Sequence, residues 1–315
     1  MLSSRIDSLL AHWSARRSHP ASNVLPTCQM ITPVGPVRVF DSGNSAGDHA
    51  PCVLFVPDGP NVIEHYAELF PQLTAHLRVI CFDMPGFGFS LPHASYTHAL
   101  DQGAAAILAV LDQLKILQAC LAFSCANGFY ALRVARIAPH RITGLILSQT
   151  PAFSAMIPWT KRMVPWPLRV PVLGQILMWL TRQQTAHHWY KVALPRNTDS
   201  TAFQATARTS LASGGCFCLA SVVQGLAREP LDAVDGMHRP CTMIWGERDH
   251  SHKYTHPTSL LQSVPQAEII HFADCGHFPD LEQPQRYAAL LIERATRWQQ
   301  NSGAFGIDSA REPGT

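Results

Sequence analysis

The feature that constrains this chain most is a broken alternation. Short apolar runs of strand length alternate with stretches of helical spacing up to Ser148, stop, and resume at Pro240. The first part carries the apolar runs Cys52 to Val56, Arg78 to Asp83, Ala119 to Phe123 and Ile142 to Ser148. Between them lie helical patterns at Val62 to Leu77, His98 to Leu117 and Gly128 to Ala138. Pro33 to Asp41 reads as a turn and a strand. Strands alternating with helices imply βαβ units and a largely parallel sheet. From Pro151 to Gly236 no alternation is visible, and Pro158, Pro165, Pro167, Pro171 and Pro195 punctuate a helical or irregular stretch. Strands at Cys241 to Trp245 and Ala267 to Phe272 and a helix at Leu281 to Gln300 close the pattern. The expected organisation is an N-terminal amphipathic segment over 1–28, core over 29–150, helical cap over 151–236, core again over 237–300 and a disordered tail over 301–315.

Composition narrows the classes. With 47% apolar and 15% charged residues the chain can build a core and is not a disordered protein. Twenty-four basic residues against 22 acidic give no global excess that would draw nucleic acid. No run reaches the roughly 18 apolar residues of a transmembrane helix. The N-terminus lacks a signal-type apolar core; it reads as a helix with Ile6, Leu9, Leu10 and Trp13 on one side. Nine scattered cysteines with no CxxC pair fit a reducing compartment, so a cytoplasmic location is expected.

Three segments at expected strand ends carry the chemistry, where open α/β sheets place their sites. Residues 119–132, ACLAFSCANGFYAL, read strand, sharp turn, helix. Residues 242–250, TMIWGERDH, end a strand just before Asp249. Residues 274–284, DCGHFPDLEQP, place His277 in a Gly-His turn. The order nucleophile, acid, histidine is that of α/β hydrolases. From about Pro33 to Gln300 the chain resembles the α/β-hydrolase superfamily in its capped form, and Asp83-Met84-Pro85-Gly86-Phe87-Gly88-Phe89-Ser90 is similar to that family's turn after its fourth strand. The resemblance implies an α/β-hydrolase fold: a mostly parallel twisted sheet, helices on both faces, and an inserted helical cap.

The nucleophile turn departs from the G-x-S-x-G of the family. Laid without gaps on Leu114 to Leu132, the family pattern L-G-x-x-x-x-x-L-V-G-H-S-M-G-G-x-x-A-L puts its serine on Cys125, a glycine on Gly128 and its alanine on Ala131. The rival register makes Ser124 the nucleophile, with Ala122 and Ala126 at the glycine positions and Leu121 and Gly128 out of step. In the first register Phe123 is bulky for its place, while Asn127 tolerates unusual dihedrals. A helix start and a nearby imidazole favour a thiolate at Cys125. The expected triad is Cys125 attacking an acyl carbon, His277 handling the proton and Asp249 orienting His277. The other eight cysteines read as buried structural residues. The alternative acid position after the strand before the cap holds Ser148-Gln149, with no carboxylate, and Asp274 is too near His277 in sequence.

One oxyanion donor is expected from the N–H of Ala126. The other normally comes from a His-Gly-x loop, which here is Pro57-Asp58-Gly59-Pro60-Asn61. Pro60 has no N–H, so Gly59 or Asn61 supplies the donor or the site has one fewer. Phe123, Ser124, Asp58, Trp159 and Trp166 are the expected substrate contacts. Trp159, Trp166, Trp179 and Trp189 lie in the expected cap with Met156, Met163, Met178 and Leu180; they read as its core, and also as an apolar tunnel over Cys125. From Ile157 to Thr198 there are six basic residues and no acidic one: Lys161, Arg162, Arg169, Arg182, Lys191 and Arg196. That run is either a solvated face or a docking surface for an anionic partner, such as an acyl carrier protein, a coenzyme A thioester or an anionic membrane. No metal or cofactor is expected: His250, His252 and His256 lack a carboxylate or Cys at ligand spacing, and no phosphate loop or dinucleotide fingerprint is present.

The expected activity is acyl transfer through an acyl-thioester on an apolar ester, thioester or lactone. Water as acceptor makes the chain a hydrolase or thioesterase; an amine, alcohol or carbon nucleophile makes it an acyltransferase. Dienelactone hydrolases, which resemble it in using a thiol, do hydrolyse, but lack a cap of this kind. The alternatives on the same scaffold are a lyase or cyclase, or a ligand-binding pseudoenzyme.

Overall fold

A computed structural model describes residues 1–18 and 25–305; side chains are described to residue 301. The chain opens with α1 (Leu2–Arg17). Strands β1 (Cys28–Thr32) and β2 (Gly35–Asp41) form a hairpin, followed by β3 (Cys52–Val56). Short α2 (Phe70–Leu73), β4 (Arg78–Phe82), the two-residue β5 (Phe87–Gly88) and α3 (Leu100–Gln113) lead to β6 (Ala119–Ser124). Then come α4 (Cys125–Ile137), β7 (Ile142–Ser148), α5 (Phe153–Met163), α6 (Leu173–Ala193), α7 (Thr201–Ala212), β8 (Cys216–Phe217) and α8 (Leu219–Leu226). The chain ends with β9 (Cys241–Gly246), β10 (Glu268–Phe272), α9 (Pro279–Glu282) and α10 (Pro284–Phe305).

Eight strands make one sheet in the order β1-β2-β4-β3-β6-β7-β9-β10. β2 pairs antiparallel with β1 and β4, and the remaining pairs are parallel. Parallel strands buried on both faces read as continuous apolar runs, which is how β3, β6, β7 and β9 read, every residue buried. One core layer, with Leu121 and Phe123 from β6, packs under α3 and α4; the other, with Val53, Phe55 and Ala122, packs against α10 through Leu291 and Trp298. Gly144 in β7 lets Trp298 lie flat on the strand, since a Cβ there would sit 2.1 Å from the indole.

Three expectations change. The stretch 62–77 is a 3-10 turn at Ile63–Tyr66 and the short α2, because Pro71 belongs in a first helical turn and cannot continue one. β1 was not anticipated; its exposed edge residues alternate too weakly to announce a strand. The segment between β7 and β9 holds α5 to α8 and also β8, which pairs antiparallel with β5, Phe87 opposite Phe217. That pairing fastens the turn after β4 to the helical segment. The turn is itself held by Asp83, which accepts the Phe89 N–H at 3.0 Å and the Arg38 guanidinium at 2.8 Å. The last helix reaches Phe305, beyond Gln300; the rest of the expected tail, 306–315, lies outside the described residues, as do 19–24 of the N-terminal segment.

Candidate active site

Four parallel strands deliver the chemistry-bearing residues from their carboxyl ends: β3 runs into Asp58, β6 into Cys125, β9 into Asp249 and β10 into the turn holding His277. Ser124 is still extended, with φ −120° and ψ 150°, whereas Cys125 has φ +51° and begins α4 at once. A non-glycine residue at positive φ costs on the order of 1 kcal/mol or more and is held only by its surroundings. Here Thr150 Oγ1 donates to the Cys125 carbonyl at 3.1 Å, and Asn127 Nδ2 donates to the Pro57 carbonyl at 3.1 Å. Gly128 is the position where the turn tolerates no side chain: a Cβ would lie 2.2 Å from Thr150 Oγ1.

Cys125, Ala126, Asp58 and Gly59 sit in the wall of a cavity of about 200 Å³. Its remaining surface is mostly apolar, with Phe87, Phe153, Met156, Trp159, Trp189 and Val222 among the lining residues. Trp159 is fixed by its indole N–H, which donates to the Ser251 carbonyl at 2.8 Å. Three expected substrate contacts are elsewhere. Phe123 points from β6 into the core, fully buried; Ser124, the last strand residue, is buried outside the cavity lining; Trp166 is 64% exposed on the outside of a 3-10 turn. Asn61 is not among the cavity-lining residues, and its backbone N–H donates to the Asp58 carbonyl at 3.0 Å, while its side-chain Nδ2 is buried without a partner.

His277 is fully buried, and its two ring nitrogens meet two different carboxylates. Nδ1 lies 2.6 Å from Asp249 Oδ2, and Nε2 lies 2.9 Å from Asp58 Oδ2. Asp249 is held in turn by the Gln149 side-chain amide, which donates to Oδ2 at 2.7 Å, and by the Ser251 N–H and hydroxyl at 2.7 and 2.6 Å to Oδ1. Burial opposes charge on Asp249, but His277 and these donors hold it down at about 2. Burial also opposes charge on His277, yet the two carboxylates raise its imidazole well above the ordinary range. Asp58 is pushed up, first by burial, against the pull of His277.

The thiol does not behave as the helix start alone suggests. Burial and then the Asp58 carboxylate push Cys125 up, and contacts with His277 and the Ala126 N–H offset only part of this. Burial thus works against the expected thiolate. A second imidazole stands against the sulfur: His252 Nε2 is 3.7 Å from Sγ, its Nδ1 is 2.8 Å from Thr255 Oγ1, and its ring stacks on that of His277 at 5.2 Å. Burial lowers His252 to about 4, so it is neutral. Its neighbours His250 and His256 are exposed. Cys125, His252 and His277 bring one ligand atom each within 4.8 Å of one another, as do buried Asp7, His98 and Cys218, so each trio has the donor atoms to hold a metal ion.

Sequence reasoning missed His252, Gln149 and the carboxylate of Asp58 as a partner of His277. Each had a signal. His252 lies three residues past Asp249, Gln149 occupies the alternative acid position, and Asp58 replaces the histidine of the His-Gly loop.

The profile of the Alpha/beta hydrolase family matches residues 53–290. The chain is 26% identical over 263 residues to a dihydrolipoyllysine-residue acetyltransferase component of an acetoin cleaving system from Pseudomonas putida, a match covering 81% of this chain and 65% of that protein. It is 27% identical over 272 residues to a 2-hydroxy-6-oxononadienedioate/2-hydroxy-6-oxononatrienedioate hydrolase from Burkholderia vietnamiensis, covering 82% and 90% of the two chains. Among solved structures, a thermophilic esterase from Thermogutta terrifontis superposes with a TM-score of 0.66 at 19% identity, over 87% of this chain and 99% of that one.

Proposed function

The chain belongs to the Alpha/beta hydrolase family, and on that footing we propose that it is an acyl-transfer enzyme in which Cys125 attacks the carbonyl of an apolar ester, thioester or lactone. The observation that carries this reading is the backbone at the β6–α4 junction. Cys125, not Ser124, takes the positive φ, and its side chain reaches the floor of an apolar cavity beside His277. The helical segment over 151–236 acts as the cap, since α5, α6 and α8 supply most of the apolar wall.

The chemistry follows from the proton positions. Asp58 takes the Nε2 proton of His277, which leaves that nitrogen free to accept the proton of the thiol. The sulfur then bonds to the acyl carbon and the carbonyl electron pair moves to oxygen. Asp58, now a neutral acid, stands where Pro60 has no N–H and donates its O–H to the oxyanion alongside the N–H of Ala126. A carboxylic acid kept neutral by an apolar site is a known type of oxyanion donor. Collapse breaks the bond to the leaving group, which departs with a proton from His277. Asp249 balances the imidazolium throughout. Water or another nucleophile attacks the acyl-thioester next and restores the thiol.

A second reading is favoured by one observation: at rest His277 Nε2 faces the Asp58 carboxylate at 2.9 Å. In it His277 and Asp58 do acid–base work on a bound substrate, as in a lyase, and Cys125 forms no bond.

Intact-protein mass measurement after incubation with acyl thioesters of graded chain length separates the two. The first reading expects an acyl adduct that Cys125→Ala abolishes and Ser124→Ala retains. Adduct loss only in Ser124→Ala overturns the assignment of the nucleophile. Substrate turnover that survives in Cys125→Ala without any adduct favours the second reading.

A further inference from the structure

Helix α1 packs the wrong way round for a helix whose only partner is its own protein. Its buried stripe is Ser4, Asp7, Ala11 and Ser14, and its apolar residues face out: Leu2 is 64% exposed, Leu9 70% and Trp13 46%. These three, with half-buried Ile6, lie on one side of the helix. The orientation is fixed by polar ties. Ser4 Oγ donates to the Ala94 carbonyl at 2.7 Å, Trp179 Nε1 donates to Ser14 Oγ at 2.9 Å, and the Ser221 hydroxyl donates to Asp7. Rolling the helix to hide its leucines would break all three.

The stripe continues onto α6. The Trp13 and Trp179 rings meet edge to face at 5.3 Å, and Leu9, Leu10, Trp13 and Trp179 line one shallow open cleft. On the outer side of α6, Leu173, Ile176 and Leu180 are 39%, 41% and 60% exposed, at spacings of three and four. The turn before α6 adds exposed Trp166 and Val170. A scattered exposed leucine needs no explanation, but a contiguous apolar face does.

Charge identifies what covers it. Arg5, Arg16 and Arg17 are exposed on α1, whose only acidic residue, Asp7, is turned inward. Arg17 lies over Trp13 at 4.3 Å and Arg182 over Trp179 at 5.0 Å. Residues 157–198 hold six basic and no acidic residues, of which Arg182 meets Trp179 while Lys161 and Arg169 line the cavity. Leucine and tryptophan on one face, flanked by arginines, are the makeup of helices that lie in the headgroup layer of a membrane. No helix among the described residues is long and apolar enough to cross one. We propose that α1 and α6 together form a docking platform for an anionic phospholipid surface, on which the protein rests without spanning the bilayer. The turn that carries Trp166 also contributes Arg169 to the cavity wall, so the platform adjoins the cavity that takes the apolar substrate.

The test is co-sedimentation of the full chain with vesicles of phosphatidylglycerol and phosphatidylcholine, and with vesicles of phosphatidylcholine alone. Binding to the first and not the second is expected. The pair Leu9→Gln and Leu180→Gln, both at side chains already mostly in water, should weaken binding about tenfold or more, as should Arg16→Glu with Arg17→Glu. Circular dichroism confirms that the variants fold. Equal binding to both vesicle types, or unchanged binding by the Gln pair, overturns the proposal. So does a concentration-dependent dimer that the Gln pair dissolves while vesicles remain unbound, which would assign the face to a second copy of the chain. Because the readout is binding, its failure leaves the acyl-transfer reading untouched.

Discussion

Asp58 Oδ2 lies 2.9 Å from His277 Nε2, the ring nitrogen opposite the one that Asp249 holds at 2.6 Å. The imidazole is thus bracketed by two buried carboxylates. One is pinned as an anion by three hydrogen-bond donors of its own besides His277. The other is pushed up by burial. Two carboxylates driven in opposite directions around one histidine are a mark of divided acid–base duty. The loop supplying Asp58 is also the one in which Pro60 removes a backbone donor, so a side-chain acid appears where a main-chain N–H is lost.

Asp58→Asn tests this division. If Asp58 only restrained His277, its removal would lower the imidazole pKa and leave more neutral base at pH 7, so turnover would rise. Asn keeps an N–H that can donate to an oxyanion but cannot carry a proton, so loss of the proton carrier should cut kcat about 100-fold, while the acidic limb of the pH–rate profile moves to lower pH. A variant faster than the parent, with the same shift in the limb, would reduce Asp58 to an electrostatic brake.

The state of the Cys125 sulfur has its own readout. Burial and Asp58 raise the thiol above its ordinary 9.0. Iodoacetamide reacts with thiolate, so labelling of the Cys125 peptide should climb continuously with pH through 9, slower at each pH than at exposed Cys28. A rate that is flat from pH 6 to 9 would instead reveal a preformed thiolate–imidazolium pair. Cys125→Ser should keep the proton route and therefore some adduct formation, and Cys125→Ala none.

Much of this was legible in the amino-acid sequence, for physical reasons. Strands β3, β6, β7 and β9 are buried on both faces and announce themselves as apolar runs. Cys125 and Asp249 follow such strands, and His277 follows the more exposed β10, which pairs parallel with β9, so register brings all three to one end of the sheet. What was not legible depends on where side chains turn after the strands end. The sequence places His252 three residues past Asp249 but does not show that it is buried against Cys125 while His250 and His256 are exposed. Phe123 looked available to substrate because it sits two residues from Cys125, yet strand alternation sends it into the core. Helix α1 misled most. Its apolar side was visible in the pattern, but the pattern could not show that Ser4, Asp7 and Ser14 anchor the opposite side.

Gly128→Ala examines whether the turn holds Cys125 by close contact. The new Cβ would meet Thr150 Oγ1 at 2.2 Å, so the helix start or Thr150 must move. A loss of about 1–3 kcal/mol is expected from such overpacking, with a larger loss of kcat than of substrate affinity, because Thr150 Oγ1 also holds the Cys125 carbonyl. Adding Thr150→Ala removes the two closest contacts and leaves only Cβ at 3.0 Å, so it should recover part of the stability while leaving activity low. Urea unfolding and steady-state kinetics on the single and double variants read both terms. Full recovery of activity in the double variant would show that the Thr150 hydrogen bond does not position the nucleophile.

The buried carboxylate that orients α1 leaves a signature in stability against pH. Burial, opposed by hydrogen bonds from Ser221 and Cys218, raises Asp7 from 3.8 to about 6 in the folded chain. Between those values the native state holds a proton that the unfolded chain has released, so stability falls as pH rises from about 4 to about 6. The difference corresponds to about 3 kcal/mol. Asp280 and Glu282, raised to about 6 and about 7, slope the same way, so the contribution of Asp7 must be read as a difference between two proteins. Asp7→Asn keeps an oxygen to accept the Ser221 hydroxyl and removes the charge. Its stability relative to the parent should be lower or equal near pH 4 and gain steadily to pH 7, where the variant is the more stable of the two. Parallel urea unfolding curves at half-unit intervals from pH 4 to 7.5 measure that gain. Two curves of constant separation would mean that Asp7 does not carry its proton into the folded state.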